Sequence, residues 1–336
     1  MTNTDRGILS AVLALEGIRA LPELGRIARR GGASAPPAWR LPLIVAEALG
    51  APPGAALPAA VALACVQLGV VLIDDLLDGD PRGEHVRLGA GRAANLAVAF
   101  LAASGEALST GRQARSAGRQ ARSAGLHEPE RLARAQAALA EAVGRVAVGQ
   151  HLDVGGAEDE AAYWRIAAAK SGAFFGLAFH LGALLSPASF NDGLALEVVG
   201  GLYGEMVQIH DDLRDCLEAP AGPDWRAGRR TLPMLYAQTV PHPERDQFCE
   251  RRAEIAALLE VDAPSEEVAP VLAEAQAMLV RSGAISYGLD QILRRDAEAR
   301  ERLASIAQQT QGVTRVLDEI VAPVRALLMG AEALRA

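Results

Sequence analysis

Two short acidic motifs of identical spacing are the residues most able to do chemistry. Asp-Asp-Leu-Leu-Asp occupies 74–78, and Asp-Asp-Leu-Arg-Asp occupies 211–215. On a helix, the first and last aspartates of each motif project from the same face, where like charges repel. One such motif is typical of a solvated helix end, whereas two with the same spacing behind apolar segments favour metal binding. The candidate metal ligands are Asp74, Asp75, Asp78, Asp211, Asp212 and Asp215.

The chemistry of these side chains indicates the metal and its substrate. Carboxylate oxygens suit the hard cation Mg²⁺, which keeps waters and shares its coordination with substrate phosphates. His85 and His210 lie beside the motifs, but an oxygen-rich site predicts that they are neighbours and not ligands. Two helices with these motifs would therefore hold several Mg²⁺ around a diphosphate.

A diphosphate leaving group also needs positive charge from the protein. The candidates are Lys170, Arg82, Arg229 and Arg230, and Lys170 is the only lysine among 33 basic residues. Bias toward GC-rich codons explains the many arginines but not the one remaining lysine. We predict that Lys170 lies where an ammonium group is required; chance survival is the alternative.

The elements that must position these residues are predicted to be helices. Apolar residues recur three and four positions apart, and alternating Val, Ile and Thr runs are missing. The breaks are short and rich in Gly and Pro, and none has the length of an interdomain linker. We predict an all-α fold, one large single-domain helical bundle over residues 1–336. Its predicted helices are 8–28, 40–50, 55–79, 87–108, 128–152, 159–186, 191–217, 231–239, 243–260, 265–281, 285–310 and 312–334.

Composition and charge exclude several classes of protein. The net charge of -8 leaves no basic surplus for a nucleic acid backbone. Three scattered cysteines are too few for a disulfide framework or a thiolate metal site. The N-terminal segment lacks a basic leader, which predicts no signal peptide and a cytoplasmic protein. Residues 55–73 approach the length of a membrane span, but Pro58, Gln67 and the aspartates that follow favour a buried core helix and no transmembrane segment.

One segment is duplicated letter for letter. GRQARSA stands at 111–117 and again at 118–124, which adds arginines without apolar periodicity. We predict an arginine-rich loop insert at 111–124; an anion- or membrane-binding arm is the alternative.

Ordered motifs from about Trp39 to Ala237 resemble a known family. They are Leu57-Pro58-Ala59-Ala60 ahead of the first aspartate motif, Gly149-Gln150-His151-Leu152-Asp153 (similar to GQxxD), Lys170-Ser171 (similar to a Lys-Thr pair), Gln208-Ile209-His210-Asp211-Asp212 (similar to QxxDD) and Gly228-Arg229-Arg230-Thr231-Leu232-Pro233 (similar to GKxTLP). Together they resemble the trans-type polyprenyl (isoprenyl) diphosphate synthases. The single lysine falls where that family uses a lysine on the diphosphate.

The resemblance implies a helical bundle of the isoprenoid synthase type around a central apolar pocket, and a homodimer. It implies three Mg²⁺, held mainly by Asp74, Asp78 and Asp211, with the other aspartates acting through waters. Metals and basic residues would pull diphosphate off an allylic prenyl diphosphate, and the double bond of isopentenyl diphosphate would attack the carbocation. The implied catalytic residues are Asp74, Asp78, Lys170 and Asp211, and the substrate-binding residues are Arg82, Gln150, Lys170, Gln208, Arg229, Arg230, Gly69, Val70 and Phe174.

Three departures from the family concern the second substrate. The motif GGKRxRP, which binds isopentenyl diphosphate in the family, is reduced to fragments at 29–32 and 38–42. The tandem arginine after the first aspartate motif is reduced to Arg82, and a Gly-Lys pair ahead of 228–233 is missing. Ionisation of the allylic diphosphate is therefore better supported than binding of isopentenyl diphosphate.

These departures leave two alternatives to a synthase. A terpene synthase on the same fold would ionise one prenyl diphosphate, with aromatic faces near the cation. Phe174, Phe175, Phe179, Trp164 and Tyr203 could supply such faces or could be core residues. The second aspartate motif has the synthase form, which favours chain elongation. An inactive partner subunit of a heteromeric synthase is least favoured, because both motifs are complete.

Residues one turn ahead of the first motif give an indication of pocket depth. Gly69 and Val70 stand there in place of aromatic residues, which predicts an unblocked pocket floor. A substrate or product of twenty carbons or more follows from this interpretation, unless other wall residues close the pocket.

Overall fold

The computed structural model describes residues 1–34, 36–116, 128–220, 223–226, 228–306 and 310–333, and within them the chain forms helices and no β-strand. A 3₁₀ turn spans Pro37–Arg40, and a π-turn spans Ala168–Gly172. The predicted all-α fold is confirmed. The helices are α1 (Asn3–Ala14), α2 (Glu16–Arg19), α3 (Pro22–Ala33), α4 (Leu41–Ala48), α5 (Leu57–Asp78), α6 (Glu84–Leu88), α7 (Ala90–Ser116), α8 (Glu128–Gly155), α9 (Glu160–Ala167), α10 (Ala173–Leu184), α11 (Phe190–Leu217), α12 (Pro223–Arg226), α13 (Leu232–Thr239), α14 (Arg245–Glu260), α15 (Ser265–Arg281), α16 (Ala284–Ala304) and α17 (Gln311–Ala333).

The main differences from the predicted helices lie near the N-terminus and at the duplicated segment. The helix predicted at 8–28 is divided into α1, α2 and α3, because Leu15 is extended (φ −60°, ψ 137°) and Pro22, which has no N–H, begins α3. The helix α7 runs to Ser116, so the first copy of the duplicated segment begins in a helix and not in the loop predicted there. Residues 117–127 lie outside the described part of the chain.

The two aspartate motifs end the long helices α5 and α11. Pro58 lies in the first turn of α5, where its missing N–H costs nothing, and Gly79 follows the last turn with φ 64°. The hydroxyl of Ser189 caps α11 by accepting a hydrogen bond from the backbone N–H of Asp192 (3.1 Å). The helix α5 packs against α7, and α11 packs against α10 and α16. Each motif therefore occupies a helix C-terminus, where the helix dipole adds negative charge and increases the need for a cation.

Two clusters of buried apolar side chains stabilise this arrangement. The larger cluster includes Leu63, Phe100 and Met206, which are fully buried on α5, α7 and α11. The smaller cluster includes Trp225 of α12 and Phe248 of α14. It holds the segment that follows the second aspartate motif. That residues 1–336 form one domain stays a prediction.

Two helical stretches, Leu57–Asp78 and Glu160–Leu184, are long and apolar enough to cross a membrane. Within the protein, 56% and 67% of their most apolar windows are buried, which is typical of core helices.

Candidate active site

Lys170 lies against the first aspartate motif. It belongs to the π-turn, and its ammonium donates hydrogen bonds to Asp74 Oδ1 (3.1 Å) and Asp153 Oδ2 (2.6 Å). Burial lowers the pKa of Lys170, but the carboxylates of Asp74 and Asp153 outweigh it, so that the pKa is raised. The amide of Gln150, one turn ahead of Asp153 on α8, donates to the same Asp74 Oδ1 (2.6 Å). The predicted residues Lys170, Gln150 and Asp74 thus lie together.

Arg229 brings a second positive charge to this motif. Its guanidinium forms an ion pair with Asp78 and lies 3.7 Å from Asp153 Oδ2 and 3.8 Å from Asp224 Oδ1. Arg252 of α14 donates to the backbone carbonyl of Arg229 (2.7 Å), which holds the segment in place. The segment that follows α12 therefore folds back over the end of α5.

The second aspartate motif places Asp211 and Asp212 in different environments. Asp211 is half exposed and lies 3.5 Å from Arg214. Asp212 is 3% exposed, and it accepts hydrogen bonds from the backbone N–H of Leu232 (3.0 Å) and from the Gln208 amide (3.0 Å). Burial raises the pKa of Asp212 to about 6. We expect Asp212 to hold the start of α13 against α11 instead of contacting a metal directly.

Hydrogen bonds connect the two motifs through the π-turn. The hydroxyl of Ser171, next to Lys170, donates to Gln208 Oε1 (2.8 Å), and Gln208 in turn donates to Asp212. A cavity of about 60 Å³ beside this chain is lined by Lys170, Arg229 and Arg230. A displacement of the π-turn would therefore change hydrogen bonds to both aspartate motifs.

The carboxylates fit Mg²⁺ by their chemistry, although they are not assembled into a cage. Among the described residues, no three His, Cys, Asp or Glu side chains are grouped as metal ligands, and cationic side chains lie on the first motif instead. The predicted ligands are all carboxylate oxygens, as Mg²⁺ requires. Asp215 Oδ2 is buried without a hydrogen-bond partner. Burial also raises the pKa values of Asp75, Asp78 and Asp215, an effect that a bound cation would oppose.

Two carboxylates of the site were not predicted as site residues. Asp153 lies in the GQxxD-like motif, and Asp224 lies in the short helix α12. Burial, followed by the carboxylates of Asp215 and Asp212, raises the pKa of Asp224 to about 7. The GQxxD-like motif was a usable signal for Asp153. For Asp224 no local signal exists, since its role depends on how the segment after α11 folds back.

Three predicted substrate-binding residues take part in none of these hydrogen bonds and ion pairs, although Arg230 lines the cavity. Arg82 is 78% exposed and pairs with Asp80 (2.9 Å). Arg230 is exposed and donates to the carbonyl of Glu158 (3.2 Å). Phe174 is buried and contacts the ring of Phe175 edge-on at 5.1 Å between centroids.

The pocket floor predicted at Gly69 and Val70 is not open beside Gly69. A Cβ on Gly69 would lie 3.0 Å from Leu101 Cγ and 3.1 Å from the carbonyl oxygen of Ala97, both on α7. Because Gly69 has no side chain, α5 and α7 approach closely. Leu101 of α7 therefore occupies the space beside Gly69 that was predicted to be an open pocket floor. Val70 is partly buried and packs against the larger cluster.

The pKa of Asp224 predicts a dependence of stability on pH. Between its unfolded value of 3.8 and about 7, the folded protein binds a proton at Asp224 that the unfolded chain releases. This group therefore removes stability as pH rises through that window. In metal-free buffer, we expect Asp224→Asn to gain on the order of 2 kcal/mol relative to wild type between about pH 5 and about pH 8. Urea unfolding at both pH values measures the difference.

The matched control for this prediction is Asp246→Asn, because the side chain of Asp246 is 86% exposed. A difference between Asp224→Asn and wild type that is equal at both pH values would contradict the raised pKa.

The fold and the site together define a class of protein. The all-α bundle has the fold of the isoprenoid synthases. In this chain two aspartate motifs end long helices of the bundle, and a lysine and an arginine lie against the first motif. Comparison with known proteins specifies the family. The sequence profile of the polyprenyl synthetase family matches residues 39–263.

One curated protein is similar to this chain in sequence, and two solved structures are similar to it in fold. A short chain isoprenyl diphosphate synthase of Methanothermobacter thermautotrophicus is 28% identical over 295 residues, which cover 80% of this chain and 82% of the relative. The structure of a geranylgeranyl pyrophosphate synthetase from Pyrococcus horikoshii aligns with a TM-score of 0.74 at 20% identity, covering 94% of each chain. A decaprenyl diphosphate synthase from Rhodobacter capsulatus aligns with a TM-score of 0.72 at 20% identity, covering 96% of each chain.

The chain belongs to the polyprenyl synthetase family. The resemblance drawn from its motifs is confirmed, and so is the prediction that it is a prenyltransferase.

Proposed function

We propose that this protein is a Mg²⁺-dependent prenyl diphosphate synthase that ionises an allylic prenyl diphosphate and condenses it with isopentenyl diphosphate. The observation that carries the proposal is the convergence of Lys170 and Arg229 on Asp74 and Asp78. These four side chains come from α5, the π-turn and the segment after α12. Family membership supports the two substrates.

Each group has a part in the proposed reaction. Mg²⁺, held by the carboxylates of the two motifs, would supply positive charge to the leaving diphosphate. Lys170 and Arg229 would turn from Asp74 and Asp78 to donate hydrogen bonds to the same diphosphate oxygens. Asp153 would keep Lys170 in place during this exchange, and Gln150 would keep Asp74 in place. Catalysis by charge and position needs no nucleophile of the protein.

A group of arginines near the first motif supports the second substrate. Arg26 and Arg30 of α3 and Arg87 of α6 all bond to the carboxylate of Glu84 at 2.8–3.1 Å. Three cations surround the single carboxylate of Glu84, the carboxylate of Asp75 also interacts with Arg30, and Arg30 is 62% exposed. Arg40, from the remnant of GGKRxRP, instead lies 3.4 Å from Asp5. We propose that the arginines around Glu84 receive the diphosphate of isopentenyl diphosphate.

Four further features belong to the proposal. They are three Mg²⁺ per active site, a homodimer, a cytoplasmic location and a product of twenty carbons or more. Exposed Leu194 and Val198, four residues apart on α11, support an interface with a second chain. Leu101 lies beside Gly69, so the proposed long product would have to pass another part of the wall.

Product analysis tests the proposed function. The purified chain is incubated with Mg²⁺ and geranyl, farnesyl or geranylgeranyl diphosphate, each with and without isopentenyl diphosphate, and products are identified by mass. We expect longer diphosphates only when isopentenyl diphosphate and Mg²⁺ are both present, and none after chelation. Hydrocarbons or alcohols formed without isopentenyl diphosphate would instead identify a terpene synthase. No product from any substrate would contradict both activities.

A further inference from the structure

The π-turn that carries Lys170 interrupts an otherwise continuous helix. Ala168–Gly172 separates α9 from α10, and the residues on both sides keep helical dihedral angles. Turns of this kind are uncommon inside helices and occur frequently at functional sites. This one presents Lys170 to Asp74 and Ser171 to Gln208. The position of its backbone therefore decides where both groups lie.

The helix α8 contacts this turn through a glycine. A Cβ on Gly149 would lie 2.7 Å from the backbone nitrogen of Lys170 and 2.8 Å from the carbonyl carbon of Ala169. Atoms of the main chain cannot yield to a methyl group as the end of a flexible side chain can. Only glycine at 149 therefore permits this approach.

The helix α11 contacts the same turn through a second glycine. A Cβ on Gly204 would overlap the carbonyl oxygen of Ser171, and it would lie 2.6 Å from that carbonyl carbon and 2.9 Å from the nitrogen of Gly172. Both neighbouring helices thus contact the backbone of the turn at or beside the two residues that bear its functional groups.

We propose that Gly149 and Gly204 are positioning residues that set the place of the Lys170 ammonium and the Ser171 hydroxyl. A methyl group on either would displace the turn away from α8 or α11. Gly204→Ala would move the turn away from α11 and lengthen the hydrogen bond from Ser171 to Gln208. Gly149→Ala would move the turn away from α8 and lengthen the hydrogen bonds from Lys170 to Asp74 and Asp153. A shift of about 1 Å in a positioning group costs about a hundredfold in rate.

The chain supplies a matched control on each helix. Gly201 lies on α11 less than one turn from Gly204, and a Cβ there would meet only the carbonyl oxygen of Gly172, at 3.8 Å. Gly144 lies on α8, and a Cβ there would have no atom within 4 Å. Alanine at these positions favours the helix, and its closest approach to the turn is the ordinary van der Waals distance of 3.8 Å at Gly201. Both controls should keep the activity of the wild type and have at least its thermal stability.

The first measurement is kinetic and rests on the proposed function. We expect Gly204→Ala and Gly149→Ala to lower kcat by about a hundredfold, with KM changed by less than about threefold. Gly201→Ala and Gly144→Ala should keep kcat within about twofold of wild type. Equal kcat in Gly204→Ala and Gly201→Ala, and in Gly149→Ala and Gly144→Ala, would overturn the proposal.

The second measurement does not depend on activity. Because Lys170 is the only lysine, biosynthetic labelling with ¹³Cε-lysine places one NMR reporter at the site. At a single pH, its signal should move in Gly204→Ala and Gly149→Ala and stay in place in the two controls. A signal that moves while no variant or wild type turns over any substrate would refute the proposed function and keep the positioning role. A signal unchanged in both test variants would refute the positioning role.

Discussion

Asp74→Asn should keep the helical fold and lose about a thousandfold or more of turnover. The carboxylate of Asp74 accepts hydrogen bonds from both Lys170 and Gln150, and it is a predicted principal ligand of Mg²⁺. The amide has nearly the same volume but no charge, so it removes the attraction for metal without opening a cavity. Loss of a single group that stabilises transition-state charge costs about 10²–10³ in rate, and loss of a metal ligand adds to this.

Steady-state kinetics at increasing Mg²⁺ concentration, with circular dichroism for the fold, measures this effect. Asp290→Asn is the control, because Asp290 is about half exposed and pairs only with Arg294 on the same helix among the described contacts. If Asp74→Asn turned over at the wild-type rate with unchanged Mg²⁺ dependence, the metal role of the first motif would be wrong.

Asp211→Ala should lose activity in the same way, since Asp211 is the exposed member of the second motif.

The positions of α5 and α11 could be predicted because their signals are local. Apolar spacing defines the buried face of each helix, Pro58 lies in the first turn of α5, Gly79 follows the end of α5, and Ser189 caps α11. The aspartate motifs were visible for the same reason. Lys170 could be identified by composition, as the one lysine of the chain.

The contacts that build the site could not be predicted, because they depend on how distant segments meet. The pairing of Arg229 with Asp78 requires the segment after α12 to fold back over α5, and no pattern in either segment specifies it. Asp224, on α12, joins the site for the same reason, because its segment of the chain returns to the end of α5. Leu101 occupies the space beside Gly69 only because α7 approaches α5 closely, and a missing side chain in a sequence can mean either an open pocket or a close helix contact.

The π-turn is another feature that could not be predicted from the sequence. Its five residues read as ordinary helix, since a single wider turn leaves the apolar spacing on both sides almost unchanged. The indirect signals were Gly149 and Gly204, which lie on other helices and acquire meaning only when the three backbones are seen together.

Lys170→Ala and Lys170→Arg should both lower turnover by about 10²–10³, and the arginine variant should not restore it. The side chain of Lys170 is 16% exposed, and its ammonium lies between carboxylates on α5 and α8. A guanidinium is wider and planar and needs a fork of acceptors, whereas the π-turn offers room for a compact group. If any positive charge sufficed, Lys170→Arg would retain most of the activity.

The kinetic signature separates a catalytic lysine from a structural one. A group that stabilises the leaving diphosphate acts mainly in the transition state, so kcat and kcat/KM should fall together. Arg294→Ala, at an exposed ion pair on α16, is the control and should leave both constants unchanged. Loss of thermal stability in Lys170→Ala with an unchanged kcat would instead show that the ammonium only neutralises Asp74 and Asp153. An unchanged rate and an unchanged stability would mean that the single lysine of the chain remains by chance, and the charge on the diphosphate would then have to come from Arg229.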